Sequence, residues 1–213
     1  MDQPPERILI IGRSPSVILD AADILRNKGF RADATNQFDE VLTEYDTTDF
    51  DVVLFGGMVP ADTKRHLRDE ISKLNDHVTF VQGLAGIAGL IAAQVEGVTS
   101  TAGDGVAYEN RTVQLTLKEP AEVVVEAFWG TSFTPPEPKS TSMRVIDSHF
   151  DAGEHVIPLP DEIPTVASFV TVSLGASVHA FTVGPMPQAV TRLVPTGGQP
   201  SPLPPVRAVS THN

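Results

Sequence analysis

The sequence predicts an α/β domain built on a parallel sheet with helices on both faces, followed by an all-β antiparallel sandwich. Three observations lead there. Short apolar runs alternate with helical periodicity four times within about the first 95 residues. From Gly103 onward the helical period gives way to strand-like alternation. Between them, Asp51 to Pro60, DVVLFGGMVP, carries four consecutive apolar residues, Val52 to Phe55, cut off by Gly56-Gly57. Such a run suits a strand buried on both faces, as the central strands of a parallel sheet are.

Arg7 to Gly12, RILIIG, is an apolar run closed by glycine, and Ser14-Pro15-Ser16 supplies a cap and a first-turn proline. Strand, turn and helix follow. On that helix Ile18, Ala21, Ala22 and Leu25 recur at i, i+3, i+4 and i+7, and Gly29 is the expected stop. Phe30 to Thr35 forms a weaker second strand, and Phe38, Val41, Leu42 and Tyr45 mark a short second helix before a turn at Asp46 to Asp49. The opening run is then the third strand. After Pro60 a polar helix reaches about Asn75, with Leu67, Ile71 and Leu74 as its buried stripe and His66 on the solvated side. His77 to Gln82 is the fourth strand. The segment GLAGIAGLIAAQV continues as a helix whose glycines, Gly83, Gly86 and Gly89, serve close packing, approach to a ligand, or both in turn.

In the second half TVQLTL, EVVVEAFW, SMRVI, HVIPL, ASFVTVSL and VHAFTV read as strands, with Val106 to Tyr108 as a seventh. Size and spacing resemble an immunoglobulin or fibronectin type III module. Alternation puts Val123, Val125, Ala127 and Trp129 on one face of their strand, with Trp129 as a core or edge anchor. Gly130 to Thr141 is a long proline-bearing loop around Phe133, expected to pack or to recognise a partner. His149 and His155 flank the DAGE turn, where a hairpin would set them face to face, with His179 on another strand. The domain limits expected are 1–100, 101–187 and, for a proline-rich flexible tail, 188–213. Within the tail PLPPVR has the form that proline-reading grooves accept.

Composition narrows function. A net charge of −12, with 15 scattered Lys and Arg, repels phosphate backbones and anionic membranes, so neither nucleic acid nor membrane is an expected partner. The chain has no cysteine, which removes disulfides, thiolate ligands and thiol nucleophiles and fits a cytoplasmic setting. The start, MDQPPERILIIG, reads as a strand rather than a signal peptide, and the longest apolar stretch, Leu84 to Val95, is too short to span a bilayer. A soluble protein is expected.

DVVLFGGMVP resembles the third strand and following Met-x-Pro loop of two-component receiver domains, and RILIIGRSP resembles their first strand and loop. The resemblance covers about residues 6–95 and implies a flavodoxin-like fold. It also places the phospho-acceptor at Gly56 and the metal-binding acidic pair at Gly12 and Arg13, where no carboxylate stands. Phosphoryl transfer to a side chain needs a nucleophilic carboxylate and oxygen ligands for Mg²⁺, so the resemblance implies a pseudo-receiver. The family's fifth strand and its lysine have no match.

Ligands of such sheets sit at the carboxyl ends of the strands. The candidate ligand-binding residues are therefore Gly12, Arg13, Ser14, Gly56, Gly57, Met58, Gln82 and Gly83. No catalytic residue, metal ligand set or cofactor is expected: G-x-S-x-G is absent and the histidines lack zinc spacing. The leading expectation is a non-enzymatic regulatory or accessory module that binds a protein or small ligand. The second is an enzyme or accessory subunit holding a nucleotide or phosphorylated cofactor at the rim, where Arg13 and Ser14 open a helix. The third is a structural homo-oligomer.

Overall fold

The computed structural model describes residues 5–100, 105–132 and 139–184. The chain divides into two compact units between Val95 and Glu96. Half of the loop expected around Phe133, residues 133–138, and all of the proline-rich segment lie outside the described residues, and the two ends of that loop are strand.

The first unit is a parallel sheet of four strands in the order β2-β1-β3-β4, formed by Arg7–Ile11 (β1), Arg31–Thr35 (β2), Val52–Phe55 (β3) and Thr79–Gln82 (β4). Its helices are Pro15–Asn27 (α1), the single turn Val41–Glu44 (α2), Ala61–Leu74 (α3) and Ala88–Thr99 (α4). The period-2 geometry of the inner strands explains why they are apolar throughout. In β1, Ile8 and Ile10 face one core with α1 and α4, while Leu9 and Ile11 face the other with α2 and α3. Val52 and Leu54 of β3 join the first core, and Val53 and Phe55 the second. Only Arg7, at the start of β1, keeps partial access to solvent on these two strands.

The predicted stripe of α1 is buried at every position, and Gly29 ends the helix with φ +97°. Ser14 stands at the N-cap with extended backbone but makes no side-chain cap, and proline at the first helical position presets a helical φ and leaves one fewer N–H to satisfy. The expected short second helix is a 3₁₀ turn over Phe38–Glu40 running into α2. One stripe residue is corrected. Leu67 and Ile71 are buried, but Leu74 is 62% exposed, and Asn75 takes the inward place at 6%. The spacing 67, 71, 75 continues the i+4 row at the last turn, where the i+3 row would have needed Leu74.

The second unit is antiparallel throughout. Its strands are Val106–Glu109 (β5), Thr112–Leu117 (β6), Ala121–Ser132 (β7), Lys139–Phe150 (β8), Gly153–Pro158 (β9), Ser168–Leu174 (β10) and Ser177–Thr182 (β11). They form a sheet of four, β11-β10-β7-β8, and a sheet of three, β5-β6-β9. Val113 and Leu115 of β6, Ile157 of β9, Val123 and Val125 of β7, and Val170 and Val172 of β10 share one core, which makes the pair a sandwich. Trp129 is partly buried against this core. Phe128, on the opposite face, is 6% exposed and sits across from Phe169 in the sheet.

Candidate functional site

The three loops at the carboxyl ends of β1, β3 and β4 begin with Gly12, Gly56 and Gly83. The ladder continues one residue past each strand: Gly12 N–H donates to the Thr35 carbonyl (3.0 Å), Gly56 N–H to the Ile11 carbonyl (2.8 Å) and Gly83 N–H to the Phe55 carbonyl (2.8 Å). These bonds draw the glycines together. A Cβ at Gly56 would lie 3.3 Å from the Gly12 Cα and 3.4 Å from the Ile11 carbonyl oxygen, and one at Gly83 would lie 3.7 Å from the Gly56 Cα. A Cβ at Gly12 would collide with the Ile18 side chain at 2.6 Å. Gly57 differs, with open space around its Cβ direction.

The rim glycines are thus neighbours, and three of their four N–H groups are spent on the sheet. Only Gly57 keeps both its surroundings and its backbone clear. Arg13 is half-buried and has no carboxylate partner among the described residues, Ser14 is 7% exposed, and Met58 is 47% exposed.

Gln82 organises the other end of the rim. Its amide donates to the Phe55 carbonyl (3.0 Å) and the Gly83 carbonyl (3.2 Å), and its Oε1 accepts from Lys64 Nζ on α3 (2.8 Å). Gln94 of α4 reaches back to clamp the same loop, donating to the Gln82 carbonyl (3.1 Å) and accepting from Leu84 N–H (3.0 Å). Arg68, one turn beyond Lys64, spreads its guanidinium 5.5 Å from the Phe55 ring and 5.6 Å from the Phe80 ring. Its Nε is buried without an acceptor. Burial, and then the charge of Arg68, push the Lys64 ammonium below its ordinary range.

Lys64, Arg68 and Gln94 are residues that sequence reasoning passed over. Two signals existed: like charges at i, i+4 on α3, which repel on an isolated helix, and one glutamine in the otherwise apolar stretch from Leu84 to Val95. Neither tells where the side chain goes.

The remaining sequence candidates are dispersed. A groove of about 300 Å³ opens between the 3₁₀ turn and α3, lined by Phe38, Asp39, Leu42, Asp62, Thr63, His66 and Leu67, and not by the rim glycines. His66 is exposed there. His149 and His155 do not face each other across a hairpin, because β8 pairs with β7 in one sheet and β9 with β6 in the other. His149 Nδ1 instead meets Glu122 Oε1 at 3.0 Å, and His155 Nε2 the Asp151 carbonyl at 2.8 Å. His179 stacks on Phe181. No three His, Asp or Glu side chains among the described residues are grouped to hold a metal ion. Nor is any described helix long and apolar enough to cross a membrane.

No family model matches the chain, and no curated protein matches it. The class is therefore set by the fold: a parallel α/β sheet with helices, followed by a two-sheet antiparallel sandwich.

Proposed function

We propose that this chain is a non-enzymatic pseudo-receiver: a flavodoxin-like domain without phosphorylation chemistry, joined to an immunoglobulin- or fibronectin-like sandwich and acting as a regulatory or accessory binding module. The observation that carries this reading is the Gly12–Gly56 contact. At the position of the receiver nucleophile there is no carboxylate, and a Cβ built there meets neighbouring backbone at 3.3 Å and 3.4 Å. No acidic side chain stands at Gly12 or Arg13 to bind Mg²⁺. The distribution of strands, three in one sheet and four in the other, supports the likeness of the second unit to those modules.

The test is incubation of the full chain with acetyl phosphate and Mg²⁺, followed by intact mass measurement. The mass is expected to stay unchanged; a stable phosphorylated species overturns the reading.

One observation favours the second reading. Arg13 has no carboxylate partner among the described residues, and it lies in the loop that opens α1, so a phosphorylated cofactor would find a cation and a helix N-terminus there. A thermal-shift series with nicotinamide and flavin nucleotides separates the two, because selective binding to the folded state raises the midpoint. Unchanged midpoints at millimolar ligand dismiss the cofactor.

A further inference from the structure

We infer that the free edge of β4, bordered by Lys64 and Arg68, docks an acidic extended segment of a partner protein as an added strand. This names a partner class for the binding module proposed above and rests on that reading.

Among the described residues the edge carries no further strand. Thr79 N–H donates to the Asp51 carbonyl and Gly83 N–H to the Phe55 carbonyl, both at 2.8 Å. Alternation along the strand then turns the N–H and C=O groups of Phe80 and Gln82 away from β3. Gln94 takes the Gln82 carbonyl. The N–H groups of Phe80 and Gln82 have no partner among the described residues, and β4 is the last strand of its sheet. Thr79 and Gln82 are exposed and Phe80 is half-buried. A bare edge of this kind is a template for one more strand.

The charge beside it selects the occupant. The exposed cations of α3 are paired within the helix, Arg65 with Asp62 and Lys73 with Glu70, each at 2.6 Å. Lys64 and Arg68, on the side facing β4, meet no carboxylate among the described residues. Lys64 is bound only to the neutral Gln82 amide, and Arg68 lies on the Phe55 and Phe80 rings with its Nε lacking an acceptor. In a chain of net charge −12, two adjacent cations that meet no carboxylate among the described residues make a local positive patch beside the strand edge. Carboxylates on an added strand would supply the missing counter-charge while its backbone meets Phe80 and Gln82. A second copy of the chain is the poorer occupant, since edge-to-edge pairing would bring the same cations against each other.

The experiment uses the full chain and a fluorescein-labelled peptide of alternating glutamate and valine, with the lysine-valine peptide as control, read by anisotropy. Saturable binding of the glutamate peptide alone is expected, weakened about tenfold in Lys64→Glu, as loss of one charge-assisted contact implies. Because a variant could perturb α3, amide hydrogen exchange on the unaltered chain gives a second reading: Phe80 and Gln82 should slow when the peptide saturates. The proposal fails if neither peptide binds, if both bind alike, or if those two amides exchange as before. Protection of those amides through concentration-dependent dimerisation, without peptide, overturns it in favour of a second copy. None of these failures alters the mass measurement with acetyl phosphate, so the pseudo-receiver reading stands or falls separately.

Discussion

The side-chain amide of Asn75 donates to the Phe50 carbonyl at 2.8 Å, and to the Thr47 carbonyl at 3.1 Å, from a position 6% exposed. Its Oδ1 accepts from His77 N–H at 3.1 Å. One side chain thereby ends α3, ties it to the turn before β3 and starts the approach to β4. Three backbone groups depend on it.

Asn75→Leu should therefore destabilise the protein by about 2–3 kcal/mol, since buried carbonyls and an N–H lose their partner. Leu74→Ala, at the exposed neighbouring position, should change stability by no more than about 0.5 kcal/mol. Urea unfolding followed by circular dichroism measures both. The opposite order would mean that Leu74, not Asn75, carries the end of the helix.

The rim glycines make a second contrast. Gly12→Ala must displace the side chain of Ile18, itself 2% exposed, and should cost about 1–3 kcal/mol as overpacking. Gly57→Ala meets nothing within 4 Å and restricts the unfolded chain, so it should stabilise by about 0.5 kcal/mol. The same unfolding curves decide, and equal effects at the two positions would contradict the geometry.

In the sandwich, Ala167 holds φ +54° just before β10. A side chain in that region costs about 1 kcal/mol, part of which glycine returns as greater freedom in the unfolded chain. Ala167→Gly is expected to stabilise by about 0.5 kcal/mol, whereas Ala167→Val should destabilise by more than about 1 kcal/mol, because branching at Cβ worsens the clash. A shift in denaturation midpoint of the wrong sign for glycine would show that the strain is relieved elsewhere.

The two tyrosines give a pH signature. Burial pushes the Tyr45 hydroxyl up, aided by the negative charges of Asp33 and Glu44 and opposed by a hydrogen bond with Thr35. Burial also raises Tyr108, against the nearby Arg111. A raised value in the folded state means that the unfolded chain gives up its protons first. The contribution to stability is whole below the ordinary tyrosine range near 10 and is lost as pH rises through the folded values. Ultraviolet titration should show tyrosinate forming at higher pH in the native protein than in urea, and coincident curves would refute the burial argument.

Much of this architecture was legible in residue order. The apolar runs at Ile8–Ile11 and Val52–Phe55, the α1 stripe, the stop at Gly29 and the change to alternation after residue 103 are all local patterns. A strand or helix repeats every 2 or 3.6 residues whatever surrounds it, so side-chain pattern reports which face is buried. The same pattern placed the end of α3 correctly near Asn75 but put the wrong residue inward there, because the choice between Leu74 and Asn75 depends on carbonyls that come from Thr47 and Phe50, far back in the chain.

The eight rim candidates followed from strand ends alone, but their relations did not. That Gly12 lies against Gly56, that Lys64 reaches Gln82 and that Arg68 lies over Phe55 and Phe80 are consequences of the strand order β2-β1-β3-β4 and of α3 crossing beside β4. The separation of His149 from His155 likewise follows from two sheets sharing out consecutive strands. Sequence by itself determined the order of the main elements, the buried faces of β1, β3 and α1, and the glycines that end the strands at the rim. Tertiary structure alone decided which strand became the edge and which cations stand beside it without a carboxylate among the described residues. The physical reason is that periodicity is carried by neighbours in the chain, whereas strand order and unpaired charge are set by contacts between residues distant in it.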